Sequence, residues 1–283
     1  MKLAVNYSEA AVYLIDKGDA NVDLFKVPDW DDLIEEAQEL RPVSVHFPFH
    51  VGAARESVDL DRAAGQMSRT GTESLNLHVV PSQERFPHLD VADVSPAAKS
   101  EVAQALTSDV AGYCERFGAA AVIIENVIYR GPERKLLRSG IEPDVLGEVV
   151  SATGCGFLLD LSHALITARS LGMDEWKYLD SLPVHALEEL HVSGIHLLEG
   201  GLKDHLPLTE DDWQYLSGVI GRIKAGAWPS PRQLAFEYGG IGPVFSWRSE
   251  PSVLREQLPR LAEMVASAAS GYSPTDRPDR PLA

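Results

Sequence analysis

The chain has 283 residues and a formal net charge of −17, with 45% hydrophobic and 24% charged residues, which are ordinary globular values and exclude disorder for the bulk of it. Nucleic-acid binding draws on Lys and Arg to neutralise phosphates, so a chain this acidic, with no local basic patch, is expected to bind neither nucleic acid nor an anionic membrane surface. No apolar run reaches the roughly 20 residues of a membrane span, since even the stretch from Phe117 stops at Glu125.

The N-terminus does not read as a signal peptide, because Asp16, Lys17 and Asp19 interrupt it before an apolar core develops. Cys114 and Cys155 form no CxxC pattern, which fits a reducing, cytoplasmic setting. Cys114 is expected in a helix core, and Cys155, between Gly154 and Gly156, in a tight turn.

Eight strands are predicted: Lys2–Asn6, Val22–Val27, Pro42–Phe47, Ser74–Val80, Ala121–Asn126, Gly156–Leu161, Glu188–Ser193 and Gln233–Tyr238. Runs such as Val122-Ile123-Ile124 and Phe157-Leu158-Leu159 are apolar throughout, as in parallel strands buried on both faces. Helical periodicity fills the intervals. Asp29 to Glu39 carries six acids around Leu33 and Ala37, a solvated helix face. Ser95-Pro96 caps a helix whose buried face is Val102, Leu106, Val110 and Tyr113. The acids of Thr209-Glu210-Asp211-Asp212 sit at a helix start, where the macrodipole favours them. Leu254, Leu258, Leu261, Val265 and Ala268 form one face of a last helix, with Pro251 in its first turn.

Eight strands each followed by helical sequence specify a (β/α)8 TIM barrel in a single domain, residues 1–270, with a disordered tail over 271–283. A doubly wound open sheet is the alternative, weakened by the lack of GxGxxG after the first strand.

A barrel builds its active site at the C-terminal ends of its strands. Those ends carry His46, His78, Glu125, Asp160 with His163 three residues on, His191 and Glu237, while Asp204 and His205 fall on the loop after strand seven. A lone histidine at a strand end is ordinarily structural. Several carboxylates in apolar strands with few Lys or Arg nearby are different, because an unpaired buried carboxylate costs several kcal/mol. Imidazole and carboxylate together suit first-row transition metals, and this set exceeds the needs of one ion, with Glu125 or Glu237 available to bridge or to move a proton. Among the remaining histidines, His50 is open between a loop role and ligation, His88 is assigned to a loop, His185 is assigned a structural role, and His196 is open. Lys26 reads as a surface or rim charge at the end of strand two.

Val45-His46-Phe47, His78, Glu125-Asn126, Leu159-Asp160-Leu161-Ser162-His163, Glu189-Leu190-His191-Val192-Ser193-Gly194, Asp204-His205-Leu206-Pro207 with Trp213, and Phe236-Glu237-Tyr238 together resemble the xylose-isomerase-like TIM barrels. Within that superfamily the chain most resembles the multinuclear non-haem iron oxidases. The resemblance implies two or three divalent ions, iron foremost with zinc or manganese as alternatives. It also implies dioxygen activation on a peptide cysteine or a small molecule, and a partner protein that presents the peptide. It implies His46, His78 and Glu125 on one ion, Glu125, Asp160, His191 and Glu237 on a second, and His163 with Asp204 or His205 on a third. Ser162-His163 stands where those oxidases usually carry Asn-Asn, and Asp-x-x-His there resembles the trinuclear zinc endonucleases of the same superfamily. The other readings are a divalent-metal sugar isomerase or epimerase, a zinc phosphoesterase, and a non-catalytic metal-binding or partner module.

Overall fold

The computed structural model describes residues 1–54, 58–242 and 248–269. In chain order the elements are β1 (Lys2–Asn6), α1 (Glu9–Asp16), β2 (Leu24–Pro28), α2 (Asp31–Gln38), β3 (Val43–His46), β4 (Phe49–Val51), α3 (Leu60–Thr70), β5 (Leu75–Val79) and α4 (Pro96–Phe117). They continue with β6 (Val122–Glu125), α5 (Pro143–Thr153), β7 (Gly156–Asp160), α6 (Leu161–Leu171), α7 (Glu175–Ser181), β8 (Leu187–Val192), β9 (Gly194–Leu198), β10 (Gly201–Leu206), α8 (Glu210–Lys224), β11 (Gln233–Phe236) and α9 (Pro251–Ala269). Each of the eight predicted strands is present, most trimmed by a residue or two. Three strands were not anticipated: the short β4 and the pair β9 and β10. The proposed tail lies outside the described residues. No described helix is long and apolar enough to cross a membrane.

The described residues fall into two compact units. The first comprises residues 1–46, 68–72, 188–242 and 248–269. Its parallel strands run in the order β3-β2-β1-β11-β8. Register places Leu24, Ala4, Ala235 and His191 side by side on one face, where Leu24, Ala4 and Ala235 pack into a small buried cluster. On the other side α9 buries the predicted face, with Leu254, Leu258 and Leu261 fully covered. α8 starts on a capping box. The Thr209 hydroxyl accepts from Asp212 N, and the Asp212 carboxylate accepts from Thr209 N at 2.8 Å. The same carboxylate accepts from Ile195 N at 3.1 Å, so this acid ties β9 to α8 as well as serving the macrodipole.

The second unit comprises residues 47–54, 58–67 and 73–187. Its parallel strands run β4-β5-β6-β7. Val122, Ile123 and Ile124 are wholly buried, as an all-apolar strand predicts. α4 begins where predicted, with Ser95 Oγ accepting from Ala98 N at 3.3 Å and Pro96 at the first helical position. Cys114 on α4 is only half-buried, which corrects the expectation of a core thiol, whereas Cys155 is buried just after the left-handed Gly154. His185 sits exposed on a 3-10 turn.

The acidic face of α2 is solvated as expected, with Asp32, Glu35, Glu36 and Glu39 exposed, and it carries surface pairs. Arg69 pairs with Asp31 at 2.8 Å and with Glu35 at 3.4 Å, and the Tyr7 hydroxyl donates to Glu36 at 2.6 Å. Tyr7 also meets the Phe25 ring edge-on at 5.1 Å. Burial, then the Glu36 carboxylate, with Glu9 adding, raise the Tyr7 phenol well above its usual 10. A raised phenol stabilises the fold below pH 10, and that contribution is lost as pH rises beyond it, because the unfolded chain ionises first. Tyr7→Phe is expected to cost about 1 kcal/mol at neutral pH. In chemical denaturation the gap from wild type should narrow above pH 10, and a gap that widens there would contradict the assignment.

Candidate metal centres

Parallel strands place their C-terminal residues at one end of each unit's strands, and six of the predicted donors, His46, His78, Glu125, Asp160, His191 and Glu237, are found at or next to such ends. In the first unit His46 closes β3, His191 lies one residue before the end of β8, and Glu237 follows β11. Donor atoms of these three lie within 4.8 Å of one another. His191 is fully buried and Glu237 is 7% exposed. His191 Nδ1 is 3.0 Å from Glu237 Oε1, while its Nε2 is 2.6 Å from Glu189 Oε1 and 2.7 Å from Lys26 Nζ. Burial disfavours an imidazolium here, yet Glu237 and the hydrogen bonds to Glu189 and Glu237 outweigh it and the opposing Lys26 charge, so His191 is raised to about 10. Burial likewise pushes Glu237 up, but the His191 charge, with His205 and His46, carries it well below the usual carboxylate range.

Asp204 and His205 do not lie on a loop. They stand on β10, which pairs antiparallel with β9. The register slips between Lys203 and Leu206, and His205 takes φ +55°, a left-handed conformation uncommon for a side chain with a Cβ. The slip re-aims the imidazole. Its N–H at Nδ1 donates to Glu237 O at 3.1 Å, and its backbone N donates to Ser193 Oγ at 3.0 Å. Asp204 Oδ2 is 3.6 Å from His205 Nε2. His196, on β9, donates from Nε2 to Pro207 O at 2.7 Å, a structural tie.

In the second unit His78 is near the end of β5, Glu125 closes β6 and Asp160 closes β7. Glu125 and Asp160 are each 1% exposed. His78 Nε2 lies 3.3 Å from Glu125 Oε2, and its Nδ1–H donates to Phe49 O at 3.2 Å. His163, in the first turn of α6, has Nε2 3.5 Å from Asp160 Oδ2, and its Nδ1–H donates to Asn126 O at 2.9 Å. Asp160 also caps α6 by accepting from His163 N at 2.8 Å. Asn126 latches the ends of β6 and β7, donating to Asp160 O and accepting from Asp160 N, both at 2.9 Å. Asn76, on β5, donates to Phe47 O at 3.1 Å and approaches Glu125 Oε2 at 3.4 Å, steadying that carboxylate. His50 is exposed on β4 with its ring 5.6 Å from that of His78, and His88 meets Glu101 at the surface at 2.9 Å.

Lys26 is the residue sequence reasoning misplaced. It is 4% exposed and ion-pairs with buried Glu189. The charge of Lys26, with hydrogen bonding from His191, overcomes burial and holds Glu189 far below its usual range. The available signal was a lysine inside apolar Leu24-Phe25-Lys26-Val27, and a glutamate two residues before His191 on the same strand face.

Two imidazoles and a carboxylate gathered in a cluster, with His191 and Glu237 buried and His46 half-buried, fit a first-row divalent metal by donor chemistry. The histidine hydrogen bonds to backbone carbonyls, which fix the ring tautomer, are the usual accompaniment of ligation.

Residues 52–225 match the family described as RiPP precursor modification enzyme MbnB/TglH/ChrH. The chain is 35% identical over 139 residues to a UPF0276 protein of Caulobacter vibrioides (strain NA1000 / CB15N), covering 47% of this chain and 45% of that protein. It is 31% identical over 144 residues to a UPF0276 protein of Chromobacterium violaceum, covering 48% and 50%. The chain thus spans about half the length of the curated relatives it matches. Among solved structures it is similar to the probable 3-DHS dehydratase AsbF of Bacillus anthracis, with TM-score 0.56, 12% identity, and coverage of 93% of this chain and 99% of that one. A xylose isomerase-like TIM barrel/4-hydroxyphenylpyruvate dioxygenase fusion protein matches with TM-score 0.54, 16% identity, and coverage of 97% and 45%. These likenesses show the fold, that of the xylose-isomerase-like TIM barrels. The chain belongs to the RiPP precursor modification enzyme MbnB/TglH/ChrH family.

Proposed function

We propose that this chain is an iron-dependent oxidase that modifies a cysteine of a ribosomally made peptide. The grouping of half-buried His46 with buried His191 and Glu237 carries the metal reading, and the family carries the peptide. In this reading His46, His191 and Glu237 hold one ion with His205 and Asp204 beside them, and Glu125, Asp160, His78 and His163 provide further ligands. Ferrous ions, when bound, supply one-electron redox chemistry toward dioxygen.

The chain's own groups do the rest. His78, His163 and His205 each commit Nδ1–H to a main-chain oxygen, which leaves Nε2 with the lone pair for ligation. His191, whose protonated form Glu237 and Glu189 favour, would have to lose its Nδ1 proton for that nitrogen to hold a metal, so uptake would be linked to proton release. Glu125 and Glu237, buried at strand ends, are the groups placed to move a substrate proton.

The test is to purify the chain without added metal, measure its metal content, and record spectra with and without oxygen. Two or three irons and an oxygen-responsive spectrum are expected. Stoichiometric zinc in a colourless protein overturns the oxidase reading in favour of hydrolysis. Incubating the iron-loaded chain with a cysteine-containing precursor peptide and oxygen should change the peptide mass.

A further inference from the structure

We infer that Glu189, held in place by Lys26, is a positioning residue that sets which nitrogen of His191 faces the metal. This rests on the metal reading above and deepens it. His78, His163 and His205 are oriented by main-chain carbonyls, those of Phe49, Asn126 and Glu237, at 3.2, 2.9 and 3.1 Å. Backbone acceptors are held by the fold itself and need no further support. His191 is turned the other way. Its Nε2 faces both members of the Lys26–Glu189 pair, Glu189 Oε1 at 2.6 Å and Lys26 Nζ at 2.7 Å, so that Nδ1 points to Glu237 at 3.0 Å. Here the orienting acceptor is a side chain, which has rotamers of its own and must be held.

Lys26 does the holding. It stands on β2, and Glu189 stands on β8, with β1 and β11 between them. Alternation along each strand puts Leu24 and Lys26, Ala4 and Asn6, Ala235, and Glu189 and His191 on one face. Ala4 and Ala235 occupy the positions between Leu24 and His191, and each offers only a methyl group. The lysine stem therefore has room to cross to Glu189, with which it forms an ion pair. Lys26 and Glu189 are both at least nine-tenths buried. An outer carboxylate on a ligating histidine fixes the ring orientation and raises its basicity. The two alanines, the buried lysine and the reversed histidine thus serve one purpose: a His191 ring that presents Nδ1.

The experiment uses the full chain loaded with cobalt(II), whose visible spectrum reports ligand geometry. Glu189→Gln keeps volume and an acceptor oxygen, whereas Lys26→Met with Glu189→Leu removes the acceptor and both charges. Replacing a whole buried pair by apolar residues is often neutral for folding, so the double variant remains measurable where a single one unfolds. The double variant is expected to lose roughly 10–100-fold in cobalt affinity at one site and to change that site's absorption bands, with Glu189→Gln between it and wild type. A folded double variant with wild-type affinity and bands overturns the inference and leaves the metal reading intact. A wild-type chain that takes up no divalent metal overturns both, and does so without reference to any variant.

Discussion

Glu237→Ala is expected to strip one metal ion from the protein and to stop turnover. The carboxylate belongs to the His46, His191 and Glu237 grouping and is 7% exposed, so no solvent ligand replaces it cheaply. The loss in affinity should exceed the roughly 100-fold that removal of an outer hydrogen-bond partner costs, since on the proposed reading a direct ligand is lost. Metal-free protein should suffer as well. Glu237 is the largest influence favouring the His191 imidazolium. Without it that charge faces Lys26 at 2.7 Å with the Glu189 carboxylate still opposing. Breaking one side of a buried charge pair costs about 3–5 kcal/mol. Elemental analysis and thermal melts of metal-free and loaded protein read both effects. A variant with full metal stoichiometry would remove Glu237 from the ligand set.

Gly194→Ala is expected to be the most damaging single methyl addition in the β9–β10 hairpin. A Cβ on Gly194 would lie 1.7 Å from Pro207 O and 2.3 Å from Pro207 C. These are backbone atoms, so no side-chain rotation relieves the overlap, and the strand pair itself must open. Gly194 pairs with Leu206, and between them sit the register slip and the strained His205. Opening the pair would draw His205 N away from Ser193 Oγ and the imidazole away from Glu237 O. The cost should exceed about 4 kcal/mol, the range reserved for overpacking of this severity. Gly221→Ala is the matched control. It lies in α8 with nothing within 4 Å of an added Cβ, and should stabilise by up to about 1 kcal/mol through helix propensity. Equal melting temperatures for the two variants would refute the steric account.

Much of the fold was legible because its signals are local. Val122-Ile123-Ile124 reads as a doubly covered strand, and Leu254, Leu258 and Leu261 as one helix face, because burial imposes a period on neighbouring residues. The donors were legible for a related reason. His46, Glu125 and Asp160 each close a strand, and a polar group ending an apolar run stands out without knowledge of its partners. The β9–β10 hairpin was missed because Leu197-Leu198-Glu199-Gly200-Gly201-Leu202 carries no clean alternation, and Leu197 and Leu198 are exposed.

The residue sequence alone thus places the strand ends to within a residue or two and shows which of them carry an imidazole or a carboxylate, since both follow from short-range chemistry. It leaves open what each histidine ring does. That depends on which acceptor meets its second nitrogen, and for His191 the acceptor Glu189 is held by Lys26, 163 positions away in sequence. Only the tertiary arrangement of β2 and β8, with two alanines keeping the space between them open, turns a lysine that reads as a surface charge into the anchor of a buried histidine.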